Sequence, residues 1–155
     1  MMVNMSESFK TRMMRWGFNF FPVYRRTGAR ITYISADWHE VHIKLPLNWK
    51  TKNYVGTIYG GSMYGAVDPI YMVMFIKLLG PQYIVWDKAA SIQFKNPGRS
   101  TLYAKFKIED QELAAIREEL QTKDKLDRVY RVELADKEGT ICALVEKTIH
   151  FKKKG

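Results

Sequence analysis

The residues whose types and spacing could support chemistry lie in the segment NYVGTIYGGSMYGAVDPIYMVMF, which runs from Asn53 to Phe75. A glycine pair, Gly60 and Gly61, opens a long apolar run, and a single carboxylate, Asp68, follows inside it. Backbone N–H groups at the start of a helix can stabilise a negatively charged oxygen, and glycine lets a ligand approach that backbone closely. A carboxylate can act as a general base or as a nucleophile. The pattern therefore favours a catalytic site over plain core.

The apolar run is predicted to form one central helix over residues 61–79, ended by Gly80 and Pro81. Its side chains are hydrophobic nearly all round, which indicates a helix that other elements enclose. The most apolar part, residues 61–76, is shorter than the ~20 residues that a membrane span needs, and it contains Asp68. We therefore expect a buried helix and no membrane span.

The segments on either side of this helix alternate between apolar and polar residues, or carry helix-forming patterns. The prediction is strands at 27–35, 38–46, 86–95, 100–109, 127–136 and 140–151, and helices at 6–21 and 110–122, the first with Phe9, Met13, Trp16 and Phe20 at helical spacing. A short Pro-Gly turn predicts a hairpin of 86–95 with 100–109. Alternating strands have one buried face, which indicates an antiparallel sheet. The economical arrangement is a curved antiparallel β-sheet wrapped around the central helix, an α+β fold in one domain, 1–155.

Composition limits the remaining possibilities. The net charge of +9 suits attraction to nucleic acid, anionic lipid or phosphate-bearing ligands. No nucleic-acid-binding signature collects the basic residues, so no nucleic-acid partner is expected. The single cysteine, Cys142, excludes an internal disulfide and makes the reducing cytoplasm the default, and residues 1–22 lack the apolar core of a signal peptide. Three histidines and one cysteine are too few for a zinc site, so no metal is expected.

The chain resembles the hotdog superfamily of acyl-CoA thioesterases in its element order and in Asn53, Gly56-Thr57, Tyr59-Gly60-Gly61 and Asp68. Within that superfamily it is similar to a thioesterase-like branch related to the phenylacetate-pathway type. The resemblance implies a hotdog fold and hydrolysis of a thioester of coenzyme A or acyl carrier protein, with coenzyme A as part of the substrate and no other cofactor. The family's asparagine, its two glycines and its carboxylate match Asn53, Gly60, Gly61 and Asp68 by position.

Two family residues are replaced in this chain. Tyr59 stands where the family has a histidine that helps to position the thioester, and Met72 stands where a helper Thr or Ser is frequent. The phenol of Tyr59 could donate to the thioester oxygen, or the ring could simply pack. A second, non-catalytic function therefore stays open, the binding of acyl-CoA or a fatty-acyl ligand. A third is a basic nucleic-acid or membrane-surface binder.

The remaining candidate residues would bind substrate. Asn53 and Thr57 precede the glycine pair, and either they contact the ligand or Asn53 only shapes a turn. Lys95 and Arg99 flank the Pro-Gly turn and could bind the phosphates of coenzyme A, although an ordinary solvated surface explains them equally well.

The spacing of the catalytic candidates predicts an assembly. Eight helical residues separate Gly60 from Asp68 by roughly 12 Å, too far for both to touch one carbonyl. Two chains with antiparallel central helices would bring Gly60 of one against the partner's Asp68. Read as catalytic, the motif predicts a homodimer, or a tetramer built from dimers. The alternatives are that the glycines form a tight turn and that Asp68 bonds across a contact or meets a basic residue.

Overall fold

The structure is a computed structural model that describes residues 6–155. Its elements are α1 (Phe9–Phe20), α2 (Pro22–Arg26), β1 (Arg30–Ile34), β2 (Glu40–Leu45), α3 (Gly60–Val67), α4 (Ile70–Leu79), β3 (Tyr83–Phe94), β4 (Leu102–Lys107), α5 (Asp110–Thr122), β5 (Lys125–Ala135) and β6 (Ile141–Lys153). The six strands form one sheet in the order β1-β2-β4-β5-β6-β3, and every neighbouring pair is antiparallel. The predicted α+β class with an antiparallel sheet is confirmed.

The central helix is present but interrupted. Helix α3 ends at Val67 and α4 begins at Ile70, while Asp68 and Pro69 keep right-handed helical dihedral angles between them. Proline has no N–H, so the ladder loses one hydrogen bond there. The carbonyl left without this donor is that of Gly65, and the hydroxyl of Tyr24 donates to the next carbonyl along the helix, that of Ala66, at 2.8 Å.

Side chains from both halves of the helix enter the core that the sheet covers. They are Met63, Ala66, Val67, Ile70, Tyr71, Met74, Phe75 and Leu79. Among residues 6–155, Gly60–Leu79 is the one helical stretch that is long and apolar enough to cross a membrane, and half of its apolar window is buried inside the protein.

The predicted hairpin of 86–95 with 100–109 is wrong. Strand β3 pairs with β6 at one end of the sheet, whereas β4 lies between β2 and β5. The connection between β3 and β4 is anchored elsewhere: the Gly98 carbonyl accepts from the Ile58 amide at 2.9 Å, and the Asn96 side chain donates to the Ile141 carbonyl at 2.8 Å. These bonds carry the chain across the end of the sheet, so it does not fold back on β3.

The two edges of the sheet differ. At β1, the Asn19 side chain donates to the Ile31 carbonyl at 2.9 Å and accepts from the Ile31 amide at 2.8 Å, as a neighbouring strand would. Glu7 accepts from the Ile34 amide on the same edge. At β3, no strand among residues 6–155 pairs with the outer edge. An unpaired edge twelve residues long invites another chain.

Some helix boundaries differ from the sequence-based ones. Helix α1 begins at Phe9 because Ser8, not Ser6, caps it, in a capping box with Thr11. Pro22 ends α1 as predicted and then opens the short helix α2. Helix α5 has the predicted bounds, but the cap predicted at Asp110 is wrong, since its carboxylate lies 2.9 Å from Nε2 of His39 instead.

The buried tyrosines predict an alkaline limit to stability. Burial raises the pKa of Tyr71 to about 12, and its hydroxyl donates to the Arg131 carbonyl. Above pH ~10 the unfolded chain loses this proton while the folded chain keeps it, so stability falls by about 1.4 kcal/mol per pH unit for each such group until pH reaches the folded pKa. Urea denaturation at pH 9 and at pH 11 measures the free energy of unfolding. Between the two, we expect this free energy to fall less for Tyr71→Phe than for the wild type. Equal decreases would contradict the prediction, and Tyr54→Phe, at an exposed tyrosine, is the matched control.

Candidate active site

The start of α3 presents free backbone donors. The third and fourth amides of the helix donate to the Tyr59 carbonyl at 3.0 and 3.2 Å. The first two, from Gly60 and Gly61, precede any intrahelical acceptor. A Cβ at Gly60 would lie 2.8 Å from the Phe94 ring, and one at Gly61 would lie 2.3 Å from the Tyr59 ring. A side chain at either position would push one of these exposed rings aside, and the two rings flank the amides.

The carboxylate lies at the other end of the same helix. Asp68 is the C-terminal cap of α3, and its side chain is 44% exposed. Its Oδ1 accepts from the Tyr64 hydroxyl at 2.8 Å and from Nζ of Lys147 at 2.5 Å. Within residues 6–155 no hydrogen bond reaches Oδ2. One oxygen is thus fixed in place while the other remains available to water.

Lys147 is the centre of this polar cluster. Its side chain is 0% exposed, and its ammonium group also lies 3.2 Å from Oδ2 of Asp87. Burial acts to lower the pKa of Lys147, but the hydrogen bond to Asp68 and the charges of both carboxylates outweigh it and raise that pKa. Burial raises the pKa of Asp87, and Lys147 opposes this rise. Oδ1 of Asp87 is buried and has no partner among the described residues.

Comparison with known families places the chain. The family described as a domain of unknown function (DUF4442) matches residues 10–151. The chain belongs to this family. No curated protein sequence matches the chain.

The DUF4442 chain is similar to solved structures of the hotdog fold. PA5026 of Pseudomonas aeruginosa, a protein of unknown function described as a probable thioesterase, superposes with a TM-score of 0.84 at 14% identity, covering 96% of this chain and 98% of that one. The thioesterase HI1161 of Haemophilus influenzae has a TM-score of 0.67 at 14% identity, with 96% and 94% covered. PaaI of Escherichia coli, from the phenylacetic acid degradation operon, has a TM-score of 0.62 at 15% identity, with 94% and 93% covered. The predicted hotdog fold is confirmed.

The sequence of this DUF4442 chain predicts only part of the polar cluster. It points to Asp68, with a basic partner as one alternative, but it does not identify Lys147 as that partner. The signal is its position in β6, where Val145 and Ile149 occupy the same inward face. A lysine on the core face of a strand is rarely buried unless it is paired. Its place in the alternation of β6 could therefore have identified Lys147 as the partner of a carboxylate.

The substrate-binding candidates on the loop before α3 are engaged with each other. The Asn53 side-chain amide donates to Oγ1 of Thr57 at 2.9 Å. Its Oδ1 accepts from the amides of Val55 and Thr57 at 3.1 and 3.0 Å. Asn53 thus shapes a turn, one of the two alternatives from the sequence, and Thr57 is buried beneath it. Tyr59, which replaces the family histidine, is 59% exposed and lies directly before the glycine pair.

The two cationic candidates lie at the glycine end of α3. Lys95 and Arg99 are exposed on the connection after β3. The bond from the Ile58 amide to the Gly98 carbonyl holds this connection beside the loop that leads into Gly60.

A separate groove of about 690 Å³ lies against β2, β4 and β5 and shares none of these residues. Among residues 6–155, no three His, Cys, Asp or Glu side chains are grouped to hold a metal.

Proposed function

We propose that this DUF4442 protein hydrolyses acyl thioesters, with acyl-CoA as the favoured substrate, at sites shared by the two chains of a cytoplasmic homodimer. The observation that carries the proposal is the relation of α3 to the open edge strand β3. The glycine end of α3 contacts Phe94, near the end of β3, while Lys147 links the Asp68 end to Asp87, near its beginning. Helix and edge strand therefore run in opposite directions, side by side.

Pairing of β3 with a second copy of itself would complete the site. An antiparallel pair related by a twofold axis places each residue of one strand opposite its reflection about the axis. An axis midway between Asp87 and Phe94 passes beside Ala90 and Ser91, which are small and exposed. Such a pair brings Gly60 of one chain toward the partner's Asp68 and closes the roughly 12 Å gap that separates them along one helix.

The chemistry then divides between the two chains. The substrate carbonyl oxygen accepts from the amides of Gly60 and Gly61, which stabilise the oxyanion as it forms. Oδ2 of the partner's Asp68 takes a proton from water, and the water oxygen bonds to the carbonyl carbon. The tetrahedral intermediate expels the thiolate as the C–S bond breaks, and the carboxyl proton passes to that sulfur. The products are a carboxylic acid and free coenzyme A.

Other residues hold the reactants in position. Lys147 and Tyr64 fix the orientation of the Asp68 carboxylate. The rings of Tyr59 and Phe94 exclude water around the glycine amides, with Asn53 and Thr57 holding the loop beneath them. Lys95 and Arg99, both exposed, bind phosphates of the coenzyme A portion in this proposal.

A second candidate function rests on the ion pair itself. Oδ1 of Asp68 already accepts from the Tyr64 hydroxyl and from the buried Lys147 ammonium group. A carboxylate that serves as the structural partner of a buried cation favours a protein that binds acyl-CoA without hydrolysing it.

An acyl-CoA panel separates the two functions. Thiol release is measured with acyl groups of two to sixteen carbons, together with calorimetric binding of the same ligands and the mass in solution. Hydrolysis is expected, with a dimer as the smallest species. Binding without thiol release would support the second function, and a monomer would contradict the shared site.

A further inference from the structure

Helix α1 carries an apolar stripe that faces away from the protein. Phe9, Met13, Trp16 and Phe20 recur at helical spacing, a pattern typical of a face that packs on a core. In the structure these side chains are 79%, 57%, 52% and 59% exposed. Trp16 and Phe20 stack on each other with ring centroids 5.8 Å apart. Among residues 6–155, no other element covers this row.

The opposite side of α1 explains why the stripe points outward. Asn19 is bonded to the edge of β1, and Arg15 forms a two-pronged ion pair with Glu7 at 2.7 and 2.9 Å. Phe18 lies against Trp38, with ring centroids 6.5 Å apart. These contacts set the rotation of the helix, so the stripe is a fixed surface. Exposed residues next to it enlarge the surface, and we call the set the aromatic face: Phe9, Met13, Trp16, Phe20, Phe21 and Val23.

The charge around the aromatic face is mostly positive, with Glu7 as a counter-ion that lies 2.7 Å from Arg15 and 3.7 Å from Arg12. From Ser8 to Ala36 the sequence contains no Asp or Glu, and it contains six basic residues: Lys10, Arg12, Arg15, Arg25, Arg26 and Arg30. The guanidinium of Arg25 lies 5.9 Å from the centre of the Phe20 ring. A groove of about 420 Å³ beside Trp16 and Phe20 is also lined by Arg25, Arg30 and Lys44. Basic side chains therefore surround the large exposed apolar side chains.

We propose that the aromatic face docks on an anionic phospholipid bilayer, with α1 lying parallel to the membrane surface. A helix with Trp and Phe on one side and Lys or Arg beside them is the pattern of interfacial binding, in which the rings enter the acyl boundary and the cations meet lipid phosphates. Nucleic acid would use the cations but would leave the apolar stripe in water. A bilayer with acidic headgroups satisfies both.

The surface stays available in the proposed dimer. Helix α1 covers the edge of the sheet at β1, whereas the open strand β3 forms the other edge. Pairing through β3 would leave one aromatic face uncovered on each chain. The inference does not depend on catalysis, since it uses no residue of the thioester site.

Vesicle flotation with two lipid compositions tests the proposal. Wild-type protein is mixed with vesicles of phosphatidylcholine alone or with one third phosphatidylglycerol. Binding to the anionic vesicles is expected to be at least about tenfold stronger, and to weaken in high salt. The double variants Trp16→Ser/Phe20→Ser and Arg25→Gln/Arg26→Gln are each expected to lose about tenfold. Control variants are Trp49→Ser, an exposed tryptophan elsewhere, and Lys123→Gln/Lys137→Gln, which are expected to bind like the wild type.

Fluorescence supplies an independent readout. Vesicles with brominated acyl chains are expected to quench the tryptophan fluorescence of the wild type. The Trp16→Phe variant is expected to lose most of that quenching. Equal binding to neutral and anionic vesicles, or unchanged binding by both double variants, would overturn the proposal. So would a change in solution mass for Trp16→Ser/Phe20→Ser, because the face would then be a contact between copies of the chain.

Discussion

Replacement of Asp68 by asparagine is expected to lower kcat for acyl-thioester hydrolysis by about 10²–10⁴-fold, because the amide cannot accept a proton from water. Asparagine retains the shape of the side chain and can still accept from the Tyr64 hydroxyl. Substrate affinity should therefore change little, which distinguishes this variant from one that disturbs binding. Steady-state thiol release, with calorimetric binding of the same acyl-CoA, measures both effects.

Asp87→Asn is the matched control for this variant. It removes the other carboxylate that contacts Lys147, and it leaves the proposed base intact. We expect its kcat to fall less than about tenfold, since it acts only through the position of Lys147. Equal losses in the two variants would mean that the cluster matters only as a charge network, and turnover that survives Asp68→Asn would remove the mechanism.

Replacement of Lys147 by methionine is expected to destabilise the fold by about 1–3 kcal/mol, because the Asp87 side chain, 20% exposed, loses its counter-ion, while the 44% exposed Asp68 can be solvated by water. The wild-type lysine is completely buried between Asp68 and Asp87. Urea denaturation measures the loss. Lys105→Met is the control, because that exposed lysine lies 3.8 Å from Glu40 and should cost less than about 1 kcal/mol.

The pH dependence of the lysine variant carries a definite sign. Asp87 already has a raised pKa through burial, and loss of Lys147 raises it further. A carboxyl whose folded pKa exceeds its unfolded value contributes stability at low pH that disappears as pH rises through the folded pKa. The variant should therefore recover part of its stability on acidification to below pH 5. A second change, Lys147→Met/Asp87→Leu, should restore part of it at neutral pH. If neither occurs, the cluster does not stabilise the fold as described.

The periodicity of the sequence predicted the elements better than it predicted their neighbours. Val41, Ile43 and Leu45 alternate with polar residues, and all three are buried in β2 as this pattern requires. Alternation fixes which side of a strand is buried, but it does not encode which strand lies beside it. The hairpin error at the Pro-Gly turn follows from that gap, since the turn residues are bonded to Ile58 and Ile141 across the chain.

The candidate site was predictable only where it is local. The glycine pair and Asp68 lie on one helix and could be identified from spacing. Lys147 is 79 residues from Asp68 in the sequence, and their contact depends on which strand covers the helix. The stripe from Phe9 to Phe20 shows the same limit, because helical spacing predicted the helix but could not show that Asn19, on another side, is the residue bonded to the sheet.

Complementation between inactive chains tests the shared site most directly. One chain carries Asp68→Asn, and the other carries Gly61→Pro, which removes an amide donor in the first helical turn, where proline is tolerated. The Tyr59 ring next to Gly61 is exposed and can move aside. The two chains carry different affinity tags, and mixed dimers are isolated through both. If each site takes its amides from one chain and its carboxylate from the other, a mixed dimer has one doubly altered site and one intact site. It should then show about half of wild-type activity, whereas mixed dimers as inactive as both parents would contradict a site built from two chains.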